Sequence, residues 1–168
     1  KGQHVLIEAM NILINERKLT NIRVDFIGEG PSSTYLMNLV KKYELDGGIN
    51  FLGSKSRTYI YSHLRDYDLL VQPSLKEGFG LAIVEAMAAK LPVLVSDILG
   101  PSEVISNGRF GGMFNSGDVM DCADKIYKIT QEYNSPSLIE VTEDAYRYSR
   151  SNYSITTTVN QYMSGYKH

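Results

Sequence analysis

Residues 72–96 read QPSLKEGFGLAIVEAMAAKLPVLVS, and the order of residue types in this run decides the fold. The apolar residues Leu69, Leu70 and Val71 form a strand that runs into Pro73 and Ser74. A polar loop then carries Glu77, followed by Gly78-Phe79-Gly80. Leu81 to Ala89 has helix-forming composition and is apolar on every side except at Glu85. A second apolar strand, Pro92 to Val95, follows at once. Strand, glycine loop, buried helix and strand make one βαβ unit. Its loop lies at the carboxyl end of the first strand, where open parallel sheets bind ligands. The expected fold is α/β: a doubly wound, mainly parallel sheet with helices on both faces.

The two glutamates carry the chemistry. Burying a carboxylate without partners costs several kcal/mol, so Glu85, inside an apolar helix, is expected to face hydrogen-bond donors. Gly78 and Gly80 leave backbone N–H groups open to close approach, just ahead of a helix N-terminus that favours anions. Helix-end amides for phosphate and carboxylates for hydroxyls suit a ligand carrying both, such as a sugar nucleotide. Spacing alone leaves a second reading open. In it Glu85 faces solvent and pairs with a lysine such as Lys90, and Gly78/Gly80 form only a turn.

Working outward, Gln3 to Arg17 has a helical apolar face at Val5, Leu6, Ala9, Met10, Leu13 and Ile14. Ile22 to Gly28 is a strand, ended by Gly28 and Gly30, and a helix runs from about Ser33 to Leu45. Ile49 to Leu52 is a short strand and Ser56 to Arg65 a helix. Pro101 to Ser106 fits a short helix with proline at its first position. Gly111 to Asn115 is a last strand, and Gly117-Asp118 starts an amphipathic helix. From Pro136 to Tyr166 the chain reads as two helices. With all strands parallel, Gly28, Gly53, Glu77 and Ser96 are expected near one sheet edge.

Several residues invite chemistry that their context does not favour. Asp66-Tyr67-Asp68 has the spacing of a D-x-D metal motif, but it precedes a buried strand, so capping or pairing is the expected role. His4, His63 and His168 are scattered and make no metal or triad spacing. Cys122 reads as a small packing residue within a helix rather than a nucleophile. Tyr146, Tyr148 and Tyr153 read as helix surface rather than a stacking stripe.

A length of 168 residues fits one domain with a real core. A net charge of −2 makes no electrostatic case for nucleic acid or an acidic membrane. Twelve tyrosines and no tryptophan point to no particular ligand. The lone cysteine excludes an internal disulfide and fits a reducing compartment. No apolar run approaches the roughly 20 residues that span a bilayer, and no signal peptide opens the chain. The cytoplasm is the expected location.

The run E-G-F-G-L-A-I-V-E, Glu77 to Glu85, resembles the E-x7-E motif of family 4 retaining glycosyltransferases, which have the GT-B fold. Lys1-Gly2 with Leu6-Ile7-Glu8-Ala9 resembles the family's K-G-x-x-x-L-I-E-A segment. Gly28-Glu29-Gly30-Pro31 is similar to its G-x-G-P turn, and Phe51-Leu52-Gly53 to its F-L-G strand end. Leu64 to Ser74 resembles its A-D-x-x-V-x-P-S segment, and Gly100 to Val104 its G-x-x-E-V. These occur in the family's order along nearly the whole chain.

The resemblance implies a C-terminal donor-binding domain, cut just inside its first βα loop. The preceding strand, an upstream arginine and the N-terminal acceptor domain would then lie outside the chain. It implies that Glu77 bonds donor hexose hydroxyls, that amides of Gly78, Phe79, Gly80, Leu81 and Ala82 hold diphosphate and sugar oxygens, and that Glu85 accepts from ribose. It implies that Lys1 stabilises the departing diphosphate, a role whose bland alternative is a solvated terminal lysine. Gly28, Leu52 and Gly53 would line the donor and its base. The expected transfer retains anomeric configuration, needs no metal or cofactor, and takes a UDP-, GDP- or other nucleotide-sugar, within polysaccharide biosynthesis. Lys90 stands where the family commonly has glycine, and Leu99 replaces a frequent glycine. Two other classes stay open: an epimerase or phosphorylase half of the same architecture, and a non-catalytic nucleotide-binding module.

Overall fold

A computed structural model describes residues 1–153 and gives five strands and seven α-helices among them. Helix α1 (Gln3–Asn11) widens into one π-helical segment, Ile12–Glu16, where Arg17 N–H reaches back five residues to the Ile12 carbonyl. The apolar spacing of this segment reads as one helix, and the wider turn keeps both Ile12 and Leu13 buried. Strand β1 (Val24–Ile27), helix α2 (Ser33–Lys42), strand β2 (Ile49–Gly53) and helix α3 (Arg57–His63) follow. A single 3-10 turn, Leu64–Asp66, leads to strand β3 (Leu70–Gln72), helix α4 (Leu81–Ala88) and strand β4 (Val93–Ser96). Short helix α5 (Pro101–Val104), strand β5 (Gly112–Phe114) and helices α6 (Val119–Gln131) and α7 (Pro136–Tyr153) complete the order. Pro101 opens α5, and the Asp118 side chain caps α6 by accepting from Asp121 N–H at 2.9 Å. Residues 136–153 form one continuous helix. The second helix expected toward Tyr166 lies outside the described residues.

Every strand pair is parallel: β1 with β2, and β4 with both β3 and β5. Backbone hydrogen bonds join the strands as two pieces, β1-β2 and β3-β4-β5, rather than as one continuous ladder. Side chains bridge the pieces. Val24 and Phe26 of β1 pack in the same cluster as Leu69 and Val71, and the Tyr67 hydroxyl donates to the Asp25 carboxylate at 2.9 Å.

Alternation along β4 shows why there are two helix layers. Leu94 belongs to the core cluster that holds Ile7 and Met10 of α1, Leu36 of α2 and Cys122 of α6. Its neighbours Val93 and Val95 pack on the other face with Ile83, Met87, Val104 and Ile105 of the α4–α5 side. A strand buried on both faces needs apolar residues throughout, and β4 is fully buried. Cys122 is completely buried, and burial pushes its thiol up to about 12. That makes it a packing residue.

Candidate functional site

The loop after β3 is built around Glu77. Its carboxylate accepts from the Lys1 ammonium at 3.3 Å and from Gln72 Nε2 at 3.5 Å through Oε2. Gly78 N–H donates to Oε1 at 3.2 Å. Gln72 also donates to Ser74 Oγ at 3.0 Å, so the last residue of β3 holds the loop from below. The Glu77 side chain is 18% exposed whereas that of Lys1 is 65% exposed, so the pair opens to solvent on the lysine side.

Two glycines make this arrangement possible. Gly2 takes φ 75°, and a Cβ there would sit 1.8 Å from the Pro73 carbonyl oxygen. Only glycine lets the start of α1 rest on the exit of β3, which brings Lys1 over Glu77. Gly100, with φ 90°, touches the loop from the β4 side, and a Cβ there would lie 2.8 Å from Gly78 O and 3.0 Å from Glu77 O. The loop backbone is thus clasped between two chain segments.

Helix α4 begins at Gly80, which has φ 96° and offers no capping side chain. The amides of its first turn therefore point out of a helix end that no side-chain oxygen satisfies, in the manner of an anion site. Leu81 and Ala82 open this turn, both exposed. Glu85 lies one turn further along and is half-buried, and the Tyr61 hydroxyl of α3 donates to its Oε1 at 3.4 Å. The alternative partner is excluded: Lys90 pairs with Glu143 of α7 at 2.6 Å.

Gly28 and Gly53 meet at the ends of β1 and β2, where Gly28 N–H donates to the Gly53 carbonyl at 2.9 Å. Glu29 closes this second group by accepting from Ser54 N–H at 3.3 Å. Leu52 is half-buried beside it. The structure thus brings Lys1, Glu77 and Gly78 together and Gly28 and Gly53 together. Glu85 stands on α4 against the helix that follows β2.

Sequence reasoning missed Gln72, Tyr61 and Glu29, whose roles depend on contacts between distant segments. It also misplaced two tyrosines. Tyr148 stacks on Phe110 at 4.3 Å, and Tyr153 meets both Tyr148 and Phe79 edge-on at 5.8 and 5.5 Å. Both are half-buried, packed in the cluster that α4 and α5 line, and Tyr146, half-buried too, packs beside Lys90 and Arg150 rather than on other rings. In Asp66-Tyr67-Asp68, Asp68 accepts from the Tyr133 hydroxyl at 2.6 Å and Tyr67 donates to Asp25. No group of three metal-ligating side chains occurs among the described residues. His63 stacks on Tyr59 at 4.0 Å, His4 lies on α1, and His168 is outside the described residues. A cleft of about 320 Å³, lined by Phe110, Gly111, Lys128 and Leu138 among others, opens at the amino-terminal ends of β4 and β5. It is away from the Glu77 loop. No helix of the described residues is long and apolar enough to cross a membrane.

The family description "Glycosyl transferases group 1" matches residues 1–148, nearly all of the chain. The chain belongs to this family. Protein CapJ of Staphylococcus aureus is 31% identical over 158 residues, covering 92% of this chain and 39% of CapJ. A glycosyltransferase from Rickettsia africae superposes with a TM-score of 0.88 at 23% identity, covering 99% of this chain and 44% of that one. The C-terminal domain of the group 1 family protein LpcC from Francisella tularensis has a TM-score of 0.78 at 28% identity, covering 92% of this chain and 80% of that domain. These likenesses establish the Rossmann-like α/β fold of GT-B glycosyltransferases. The chain spans less than half the length of curated relatives that it matches, CapJ among them.

Proposed function

We propose that this chain is the donor-binding domain of a retaining, family 4 glycosyltransferase that moves a hexose from a nucleoside-diphosphate sugar to an acceptor hydroxyl. An N-terminal acceptor domain of the same parent protein would complete the cleft. The observation that carries the reading is the clasped Glu77 loop: a carboxylate paired with a lysine stands four residues ahead of an uncapped helix end. Membership of the group 1 family supports it. So does the Anabaena protein HepE, described in complex with UDP, whose fold matches with a TM-score of 0.84 at 23% identity.

In this reading the diphosphate lies at the α4 helix end, bonded by amides of Phe79, Gly80, Leu81 and Ala82, and Lys1 leaves Glu77 to meet it. Glu85 accepts from ribose hydroxyls, with Tyr61 orienting its carboxylate. During transfer the bond from the anomeric carbon to the diphosphate oxygen breaks, and its electron pair leaves on the nucleoside diphosphate. The acceptor oxygen bonds to the same carbon and gives its proton to the departing diphosphate oxygen. Lys1 and the helix-end amides stabilise the charge growing on the leaving group, without a metal ion. Glu77 holds sugar hydroxyls as positive charge develops on the ring.

The test is a titration of UDP and GDP into wild type and Glu85→Ala, followed by NMR. Wild type is expected to bind in the high-micromolar to millimolar range, about −4 to −6 kcal/mol, because this half-site is open to solvent. Losing an acceptor of charged hydrogen bonds weakens binding by about 1.5–3 kcal/mol. Equal affinity of the two proteins would refute the ribose role of Glu85.

A further inference from the structure

We infer that Tyr153, on α7, is a positioning residue for the donor loop: its ring supports Phe79, the residue between Gly78 and Gly80. The inference rests on the donor-binding reading of that loop. Phe79 has glycine on both sides, so its own side chain is the anchor available to the loop tip. The ring is 42% exposed, and its edge-on contact at 5.5 Å and 77° is with Tyr153. Such a geometry is the favoured one for an aromatic pair.

Tyr153 is itself fixed. It meets Tyr148 edge-on at 5.8 Å, and Tyr148 stacks at 4.3 Å on Phe110, which is buried beside β5. Burial pushes the Tyr153 phenol up to about 12, so the hydroxyl stays protonated. Four rings thus run from the core to the loop tip. Gly100 holds the loop backbone on one side, with the Gly78 carbonyl only 2.8 Å from where its Cβ would be. Tyr153 holds the Phe79 side chain on the other. Amides aimed at a diphosphate are useful only if their directions are fixed before it arrives. A ring that immobilises Phe79 fixes its own amide and the neighbouring amide of Gly80.

The experiment measures backbone order parameters by NMR in wild type, Tyr153→Ala, Tyr153→Phe and Phe79→Ala, with UDP and GDP titrated into each. In wild type the amides of Gly78–Gly80 are expected near 0.85, the value of rigid backbone, and below about 0.6 in Tyr153→Ala and Phe79→Ala. Tyr153→Phe keeps the ring and is expected to stay near wild type, and amides of β4 are expected unchanged in all four. Nucleoside diphosphate affinity is expected to fall roughly fivefold in the two alanine variants. Phe79→Ala removes an exposed side chain, so it reads the contact even if Tyr153→Ala fails to fold. Unchanged order at Gly78–Gly80 in Phe79→Ala, or a loss spread equally over β4 and α4 in Tyr153→Ala, would overturn the inference. Loop order that responds as expected in a protein that binds neither nucleotide would support the loop support while removing the donor-binding reading.

Discussion

Lys90 has φ 59°, in the left-handed region, immediately after α4. A residue with a side chain costs roughly 1–2 kcal/mol there relative to a right-handed conformation. The chain offsets part of this locally, because the same lysine pairs with Glu143 and lies 4.8 Å above the Tyr146 ring. Lys90→Ala keeps the strain and loses these contacts, whereas Lys90→Gly loses the contacts and the strain together. The glycine variant is therefore expected to be about 1 kcal/mol more stable than the alanine variant in urea unfolding. Equal midpoints would contradict the strain assignment. Glu77 allows a prediction whose sign differs between binding and turnover. Glu77→Gln frees Lys1 from its partner, so this chain should bind nucleoside diphosphate equally or up to about fivefold more tightly, the range of an exposed ion pair. In the intact parent enzyme the lost charge assistance should lower the transfer rate roughly tenfold to a hundredfold. Weaker nucleotide binding with normal turnover would remove Glu77 from the reacting centre.

At the scale of elements, the Glu77 loop is shaped by its neighbours. Gly100 precedes α5, and its missing Cβ leaves room for the carbonyls of Glu77 and Gly78. Gly100→Ala must push the loop outward and also strain a backbone at φ 90°. Its expected effect is a destabilisation on the order of 1–3 kcal/mol and loss of detectable nucleotide binding, with β4 and β5 still folded. Retention of wild-type binding by Gly100→Ala would mean that the loop is not clasped. The elements themselves were legible in the sequence. All five strands and the helices around residues 72–96 fall where apolar runs, glycines and Pro101 put them, because strand burial and helix capping are local requirements. The role of Gly2 was not legible, since its contact is with Pro73, distant in sequence. Nor were Tyr148 and Tyr153, because a half-buried aromatic stripe and a surface one share the same helical spacing. Glu85 was legible as a carboxylate in need of a donor, but the donor, Tyr61, came from another helix.

At the scale of the molecule, parallel strands with helices on two faces put the loops after β3 and β4 on one edge of their sheet. The two sheet pieces are joined by side chains such as Tyr67 and Asp25 rather than by a continuous ladder. The one-sheet expectation therefore holds for strand direction and layering, while the hydrogen-bond ladder is interrupted between β1 and β3. Fold and family follow from the backbone pattern and motif order, whereas the proposed donor site needs three separate groups to face one ligand. These groups are Lys1 with Glu77, the α4 helix end, and Glu85 with Tyr61. A crystal structure grown with millimolar UDP or GDP measures that convergence directly. The account predicts diphosphate oxygens on the amides of Phe79–Ala82, ribose hydroxyls on Glu85, and the Lys1 ammonium turned from Glu77 toward phosphate. Nucleotide bound at the cleft near Phe110 and Lys128 instead, or at the α4 end with ribose facing away from Glu85, would contradict it.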